Sequence, residues 1–167
     1  YTNEFPIEQF LRDSKILTIW EGTSYIHGQD LVKRKMRMHD GKPFSDFMAG
    51  IKSFIKENMA KEEFRKEFAL MERAFACLEE VRNLYDTWHL NKDSELIGLY
   101  AIRTLFICSQ LVVAECLFEQ ALIAQKQLSN LSEDHYDGNF YKGKIASAKY
   151  YANNILPNVF VLTEIIK

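Results

Sequence analysis

A chain of 167 residues, 47% hydrophobic and 26% charged, with three prolines and seven glycines, has the length for one domain with a sizeable core and the composition of a helix-leaning globular protein. Twenty-one basic against 23 acidic side chains leave a formal charge of −2, so no global field recommends nucleic acid or anionic lipid as a partner. The chain opens at Tyr1 with no methionine and no basic leader, and reads as a piece of something longer.

The first predicted element is a short helix in FPIEQFLRDSK. Pro6 opens it, where a missing N–H costs nothing, and Ile7, Phe10 and Leu11 share one face. The β-branched stretch ILTI, residues 16 to 19, should carry the chain onward in a more extended form to Trp20-Glu21-Gly22. Gly22 supplies backbone freedom, and Thr23 or Ser24 can cap a second helix over about Ser24 to Met38, which ends in the basic run KRKMR. HDGKP, at 39 to 43, is the clearest break in the chain.

Beyond the break the character changes. Phe44, Phe47, Met48, Ile51, Phe54 and Ile55 mark one helix by their three-and-four spacing. Phe64, Phe68, Met71, Phe75, Leu78, Val81, Tyr85 and Trp88 mark the next, at intervals close to a coiled-coil repeat. LNKDSE ends it, with Asp93 or Ser94 as the following cap. Leu96 to Leu128 then runs without proline as one long buried helix, with Leu99, Phe106, Val113, Leu117, Ala121 and Ala124 on or near the inward face. Its longest uncharged, mostly apolar run, Thr104 to Ala114, is eleven residues where a membrane span needs about 20, so no membrane span is expected. A polar loop, SNLSEDHYDGN, leads to a last helix from about Phe140, which Pro157 should bend or restart. Nothing reads as a strand. The fold class is all-α, with an antiparallel helical bundle over residues 44–167.

Chemistry is sparse in that bundle. Cys77, Cys108 and Cys116 have no C-x-x-C spacing and fall among helical apolar residues, as buried free thiols of a reducing, cytoplasmic setting would. The four histidines show no H-x-x-x-H or Glu-x-x-His pattern, so no metal site is expected. Tyr141, Tyr150 and Tyr151 read as core or rim aromatics rather than base-stacking platforms. The basic run at 33–37 reads as a solvated helix end rather than a phosphate clamp.

The first forty residues differ. Phe5-Pro6, Arg12-Asp13, the apolar run Ile16 to Ile19 and Trp20-Glu21-Gly22-Thr23 occur in order over about 35 residues. In that order they resemble the C-terminal end of the acyl-CoA dehydrogenase flavoproteins. GKIASAKYYANNILPNVFVL and VVAECLFEQALIAQKQL are similar to an extra helical domain on one bacterial branch of that family, which includes the methylmercaptopropionyl-CoA dehydrogenases. On this resemblance residues 1–38 end the dehydrogenase C-terminal helical domain, and 44–167 are the extension.

The resemblance implies a role for each residue of the turn. A glutamate at the Glu21 position takes the α-proton of an acyl-CoA thioester while the β-hydrogen leaves as hydride to FAD. A carboxylate near pKa 4.3 is too weak a base for this in water, and burial beside Trp20 should strengthen it by disfavouring the charged form. Gly22 would admit the thioester and offer its N–H to the carbonyl oxygen. Thr23, Ser24 and Tyr25 would reach the FAD, although relatives often carry glycine or glutamine at the Tyr25 position and glutamine at that of His27. The resemblance also implies electron-transfer flavoprotein as acceptor and a homo-oligomer. With most of the FAD-holding parts upstream of Tyr1, the chain alone should bind no flavin. Without the resemblance, Glu21 is a surface glutamate before a capped helix, and the chain is a non-catalytic helical interaction or oligomerisation module in which the bundle from Phe44 onward packs on a partner or a second copy.

Overall fold

The computed structural model describes residues 6–20, 23–132 and 135–167. Among these every regular element is helical. Helix α1 spans Ile7–Ile19 and α2 spans Ser24–Asp30; a π-helical turn, Leu31–Lys35, extends α2, and a 3-10 turn follows at Met38–Gly41. The bundle proper is α3 (Lys42–Asn58), α4 (Arg65–Asn91), the short α5 (Ser94–Leu99), α6 (Ala101–Leu128), α7 (Gly138–Asn154) and α8 (Asn158–Ile166). Short connections turn each long helix back on its predecessor, so α3 packs on α4, α4 on α6, and α6 on α7 and α8.

Local chemistry accounts for the joints. His39, Asp40 and Gly41 all have positive φ, at 50°, 57° and 76°, which ends the second helical segment and reverses the chain into α3. Pro43 sits in the first turn of α3, where its missing N–H costs nothing. Lys92, at φ 63°, closes α4 in the left-handed conformation. Pro157 precedes α8 and splits the last helix in two, as its lack of an N–H requires.

The core is one cluster running from Val32 to Ile166. All eight α4-side positions expected inward, from Phe64 to Trp88, are buried. Phe118 packs against Phe68 and Phe64 at ring-centroid distances of 5.0 and 5.6 Å, in tilted and edge-on arrangements.

Four expectations are corrected. ILTI is not extended: residues 16 to 19 are the last turn of α1, because propensity for strand is weak where no neighbouring strand offers pairing. The segment after Ser24 is not one α-helix to Met38 but changes to π at Leu31. The long helix does not run from Leu96: α5 ends at Leu99, and Tyr100 separates it from α6. Finally, the inward face of α6 is Ala101, Thr104, Ile107, Cys108, Leu111, Ala114, Phe118, Ala121 and Ala124, while Leu99, Phe106 and Val113 are exposed. Small side chains let α7 and α4 approach that face closely, whereas large apolar residues occur on both sides of α6 and their spacing does not say which side is covered.

By length and composition α6 could cross a membrane, a point that counting uncharged residues missed. Here Ile107, Leu111, Ala114, Phe118 and Ala121 are fully buried within the bundle, as expected of a central core helix.

Candidate functional site

Helix α1 presents an apolar surface that nothing among the described residues covers: Ile7, Phe10, Leu11, Leu17 and Ile19 are each more exposed than buried. None of its residues is buried. Arg12, one half of the Arg-Asp pair, is bridged to Glu8 one turn back, at 2.8 Å. Trp20, the C-cap of α1, is 75% exposed and dries nothing among the described residues. Glu21 and Gly22 lie outside the described residues.

The chain re-enters at Thr23, the N-cap of α2. Its hydroxyl makes no capping bond, and the first intrahelical bond runs from the His27 N–H to the Thr23 carbonyl. Thr23 and Tyr25 are exposed and Ser24 is half-buried. The start of α2 therefore presents hydroxyls and the backbone N–H groups of a first helical turn, the donor set that suits phosphate or ribose oxygens.

The other end of α2 is tied down. Gly28 is buried, and a Cβ on it would lie 3.0 Å from both the carbonyl carbon and the oxygen of Ala101. Gln29 Nε2 donates to the Gly98 carbonyl at 2.8 Å. The π turn follows at once, its i to i+5 bond running from the Met36 N–H to the Leu31 carbonyl at 2.9 Å. Val32 and Met36 enter the common core. On α4, His89 Nε2 lies 3.2 Å from the Val32 carbonyl oxygen and its Nδ1 lies 3.4 Å from Arg37 Nη1.

Charges along this arm are matched locally. Asp30 takes a bidentate bridge from Arg34, at 2.5 and 2.8 Å, and lies 3.6 Å from Lys35 Nζ. Those hydrogen bonds, Arg34 first, hold the Asp30 carboxyl below its usual range. The basic run thus behaves as a solvated helix end. Beside it, a groove of about 580 Å³ opens between the π turn, the start of α3 and the outer side of α6, floored by Phe44, Phe47, Leu105 and Val112 with Arg34 and Lys35 at its edge.

Of the three thiols only Cys108 is buried; Cys77 is half-buried and Cys116 exposed, which corrects the expectation of three buried cysteines. Cys116 falls on the outward side of α6, where apolar neighbours in the sequence do not amount to burial. Burial pushes the Cys108 thiol up to about 12, the opposite of what a nucleophile needs. His89 and His135 are held by backbone or near neighbours, at the Val32 carbonyl and the Asp137 N–H. Among the described residues no cluster of three or more His, Cys, Asp or Glu side chains could hold a metal.

The structure therefore gathers Thr23, Ser24 and Tyr25 on one short helix start. Sequence reading missed what holds that start in place: Gly28, Gln29 and His89. A glycine inside an otherwise helical pattern was the available signal for the first of them.

A family model described as "Acetyl-CoA dehydrogenase C-terminal like" matches residues 47–167. The chain belongs to the acyl-CoA dehydrogenase family. A butyryl-CoA dehydrogenase of Syntrophomonas wolfei is 36% identical over 167 residues, which is all of this chain and 27% of that protein. A broad-specificity linear acyl-CoA dehydrogenase of Mycobacterium tuberculosis is 26% identical over 172 residues, again across all of this chain and 28% of the relative. A 3-methylmercaptopropionyl-CoA dehydrogenase of Ruegeria pomeroyi is 27% identical over 160 residues, 93% of this chain and 26% of the relative. The chain thus spans about a quarter of the length of the dehydrogenases it matches, and the matches to the first two relatives extend over all of it, upstream of residue 47 as well.

Proposed function

We propose that this chain is the C-terminal part of an FAD-dependent acyl-CoA dehydrogenase that converts acyl-CoA to trans-2-enoyl-CoA, and that Glu21 is its base. The observation that carries the reading is the match to a butyryl-CoA dehydrogenase at 36% identity, which spans the entire chain and so covers the residues that flank and include Glu21.

Each side chain then has a task that its chemistry permits. Glu21 removes the α-proton, a role that needs its pKa raised toward neutrality by desolvation once the acyl chain and the upstream domains close over it. Gly22 donates its N–H to the thioester oxygen, which acidifies the α-carbon. The hydroxyls and first-turn N–H groups at the start of α2 fit an FAD ribose or phosphate, so Thr23, Ser24 and Tyr25 are assigned to hold it. FAD supplies the hydride acceptor when bound. Trp20 and the uncovered apolar face of α1 are positioned to meet upstream parts of the enzyme. Electron-transfer flavoprotein as acceptor, a cytoplasmic setting and inactivity of the chain by itself belong to the same proposal, as does a boundary between the dehydrogenase domain and its extension at the Met38–Gly41 turn.

The test is Glu21→Gln in the full-length enzyme. FAD should remain bound while anaerobic bleaching of the flavin by acyl-CoA slows by several orders of magnitude. Bleaching at the original rate would sink the assignment.

The exposed apolar side of α6, with Phe106, Val113 and Ile123, supports a second role for the bundle as an assembly surface in a homo-oligomer. Val113→Asp in the full-length enzyme should lower the mass seen by light scattering; an unchanged mass removes this role.

A further inference from the structure

In the sequence Glu21 stands three positions before Ser24, the first residue of α2, and Gly28 is only seven positions beyond Glu21. On the α1 side, among the described residues, no buried contact holds the segment. On the α2 side two contacts hold it, and both fall at the junction of α5 and α6. Gly28 meets the Ala101 backbone so closely that even a methyl group would lie 3.0 Å from the carbonyl carbon and oxygen and 3.1 Å from the Ile102 nitrogen. Backbone atoms cannot rotate aside as a side chain can. Gln29 Nε2 donates to the Gly98 carbonyl at 2.8 Å, in the last turn of α5.

We propose that Gly28 and Gln29 are positioning residues for the reaction, and that the bundle, which carries no chemical cluster of its own among the described residues, sets the place of the base-bearing segment through them. This rests on the assignment of Glu21 as base. Helix α2 is a rigid lever about 10 Å long at 1.5 Å per residue, so a shift at the Ala101 contact is passed to the start of α2, three positions after Glu21 in the sequence. Proton abstraction depends steeply on the approach of base to carbon, and misplacement by about 1 Å costs on the order of a hundredfold.

The experiment uses the full-length holoenzyme with Gly28→Ala and, separately, Gln29→Leu, which removes the hydrogen bond while adding no bulk. Stopped-flow flavin reduction by acyl-CoA should fall about ten- to a hundredfold for Gly28→Ala and about three- to tenfold for Gln29→Leu. FAD content, the acyl-CoA concentration for half-maximal rate and reduction by dithionite should stay unchanged. Combined with Glu21→Gln, neither change should slow reduction further, because each acts through the group already removed.

Wild-type rates in both variants, the same loss in the Glu21→Gln background, or loss of FAD would each overturn the positioning role. If Gly28→Ala yields no folded holoenzyme, Gln29→Leu decides by the same criteria. Glu21→Gln alone at the wild-type rate would instead overturn the assignment of the base. A slow Glu21→Gln enzyme beside wild-type Gly28→Ala and Gln29→Leu enzymes would remove only the positioning.

Discussion

The hydroxyls of Tyr85 and Thr104 are hydrogen-bonded at 3.0 Å inside the core, and Thr104 Oγ1 lies 3.1 Å from the Tyr100 carbonyl oxygen as well. This polar chain ties α4 to the start of α6 where α5 breaks off. Tyr85→Phe leaves Thr104 a partner at Tyr100 and should cost about 1 kcal/mol in urea unfolding, whereas Thr104→Val strands a buried phenol and should cost about 2–3 kcal/mol. The double variant should be more stable than Thr104→Val alone, since it leaves no hydroxyl unpaired. A double variant less stable than both singles would contradict this account.

The same burial gives an alkaline limit to stability. Desolvation pushes the Tyr85 phenol up to about 12 from 10.0, and the Cys108 thiol up to about 12 from 9.0. Both groups keep their protons in the fold at pH values where the unfolded chain has lost them, so their contribution is complete below about pH 9 and is lost as pH rises toward 12. Thermal unfolding should therefore fall through pH 9–11, and Cys108→Ala, compared with its own value at pH 8, should fall less steeply. Equal slopes would show that the thiol is not responsible.

Two glycines should respond with opposite sign. Gly41 has φ 76°, and a Cβ there would meet the Met36 carbonyl oxygen at 3.1 Å, so Gly41→Ala should destabilise by about 1–2 kcal/mol. Gly50 lies within α3 with nothing inside 4 Å of a Cβ, so Gly50→Ala should stabilise by about 0.5–1 kcal/mol through helix propensity. Chemical denaturation of the two variants side by side checks the pair.

Phe118 is fully buried between Phe64 and Phe68, and the close packing of three rings leaves little room to collapse. Phe118→Ala should cost about 3–5 kcal/mol, against under 1 kcal/mol for Phe106→Ala on the exposed side of the same helix. A large loss at residue 106 in the full-length enzyme would instead locate a contact on that face.

A helix with one clear apolar stripe is legible from residue spacing. On α4 the positions from Phe68 to Trp88 alternate cleanly with charged residues, so only one face can be buried. On α6 both Phe106 and Ile107 are large and apolar, and the pattern by itself does not say which of them meets α4. The π turn was invisible for a different reason: LVKRK is ordinary helical sequence, and the wider turn goes with burying Val32 and Met36 while His89 reaches the Val32 carbonyl.

For this protein, sequence alone determined the all-α class, the break at HDGKP, the inward face of α4 and the family resemblance that singles out Glu21. Those depend on spacing and residue type, which are local. Tertiary structure decided which side of α6 is covered, where Cys116 points, and that Gly28, Gln29 and Val32 fasten the arm after Glu21 to the bundle. Gly28 and Ala101 stand 73 positions apart, and a fit between two backbones leaves no mark in the periodicity of either helix.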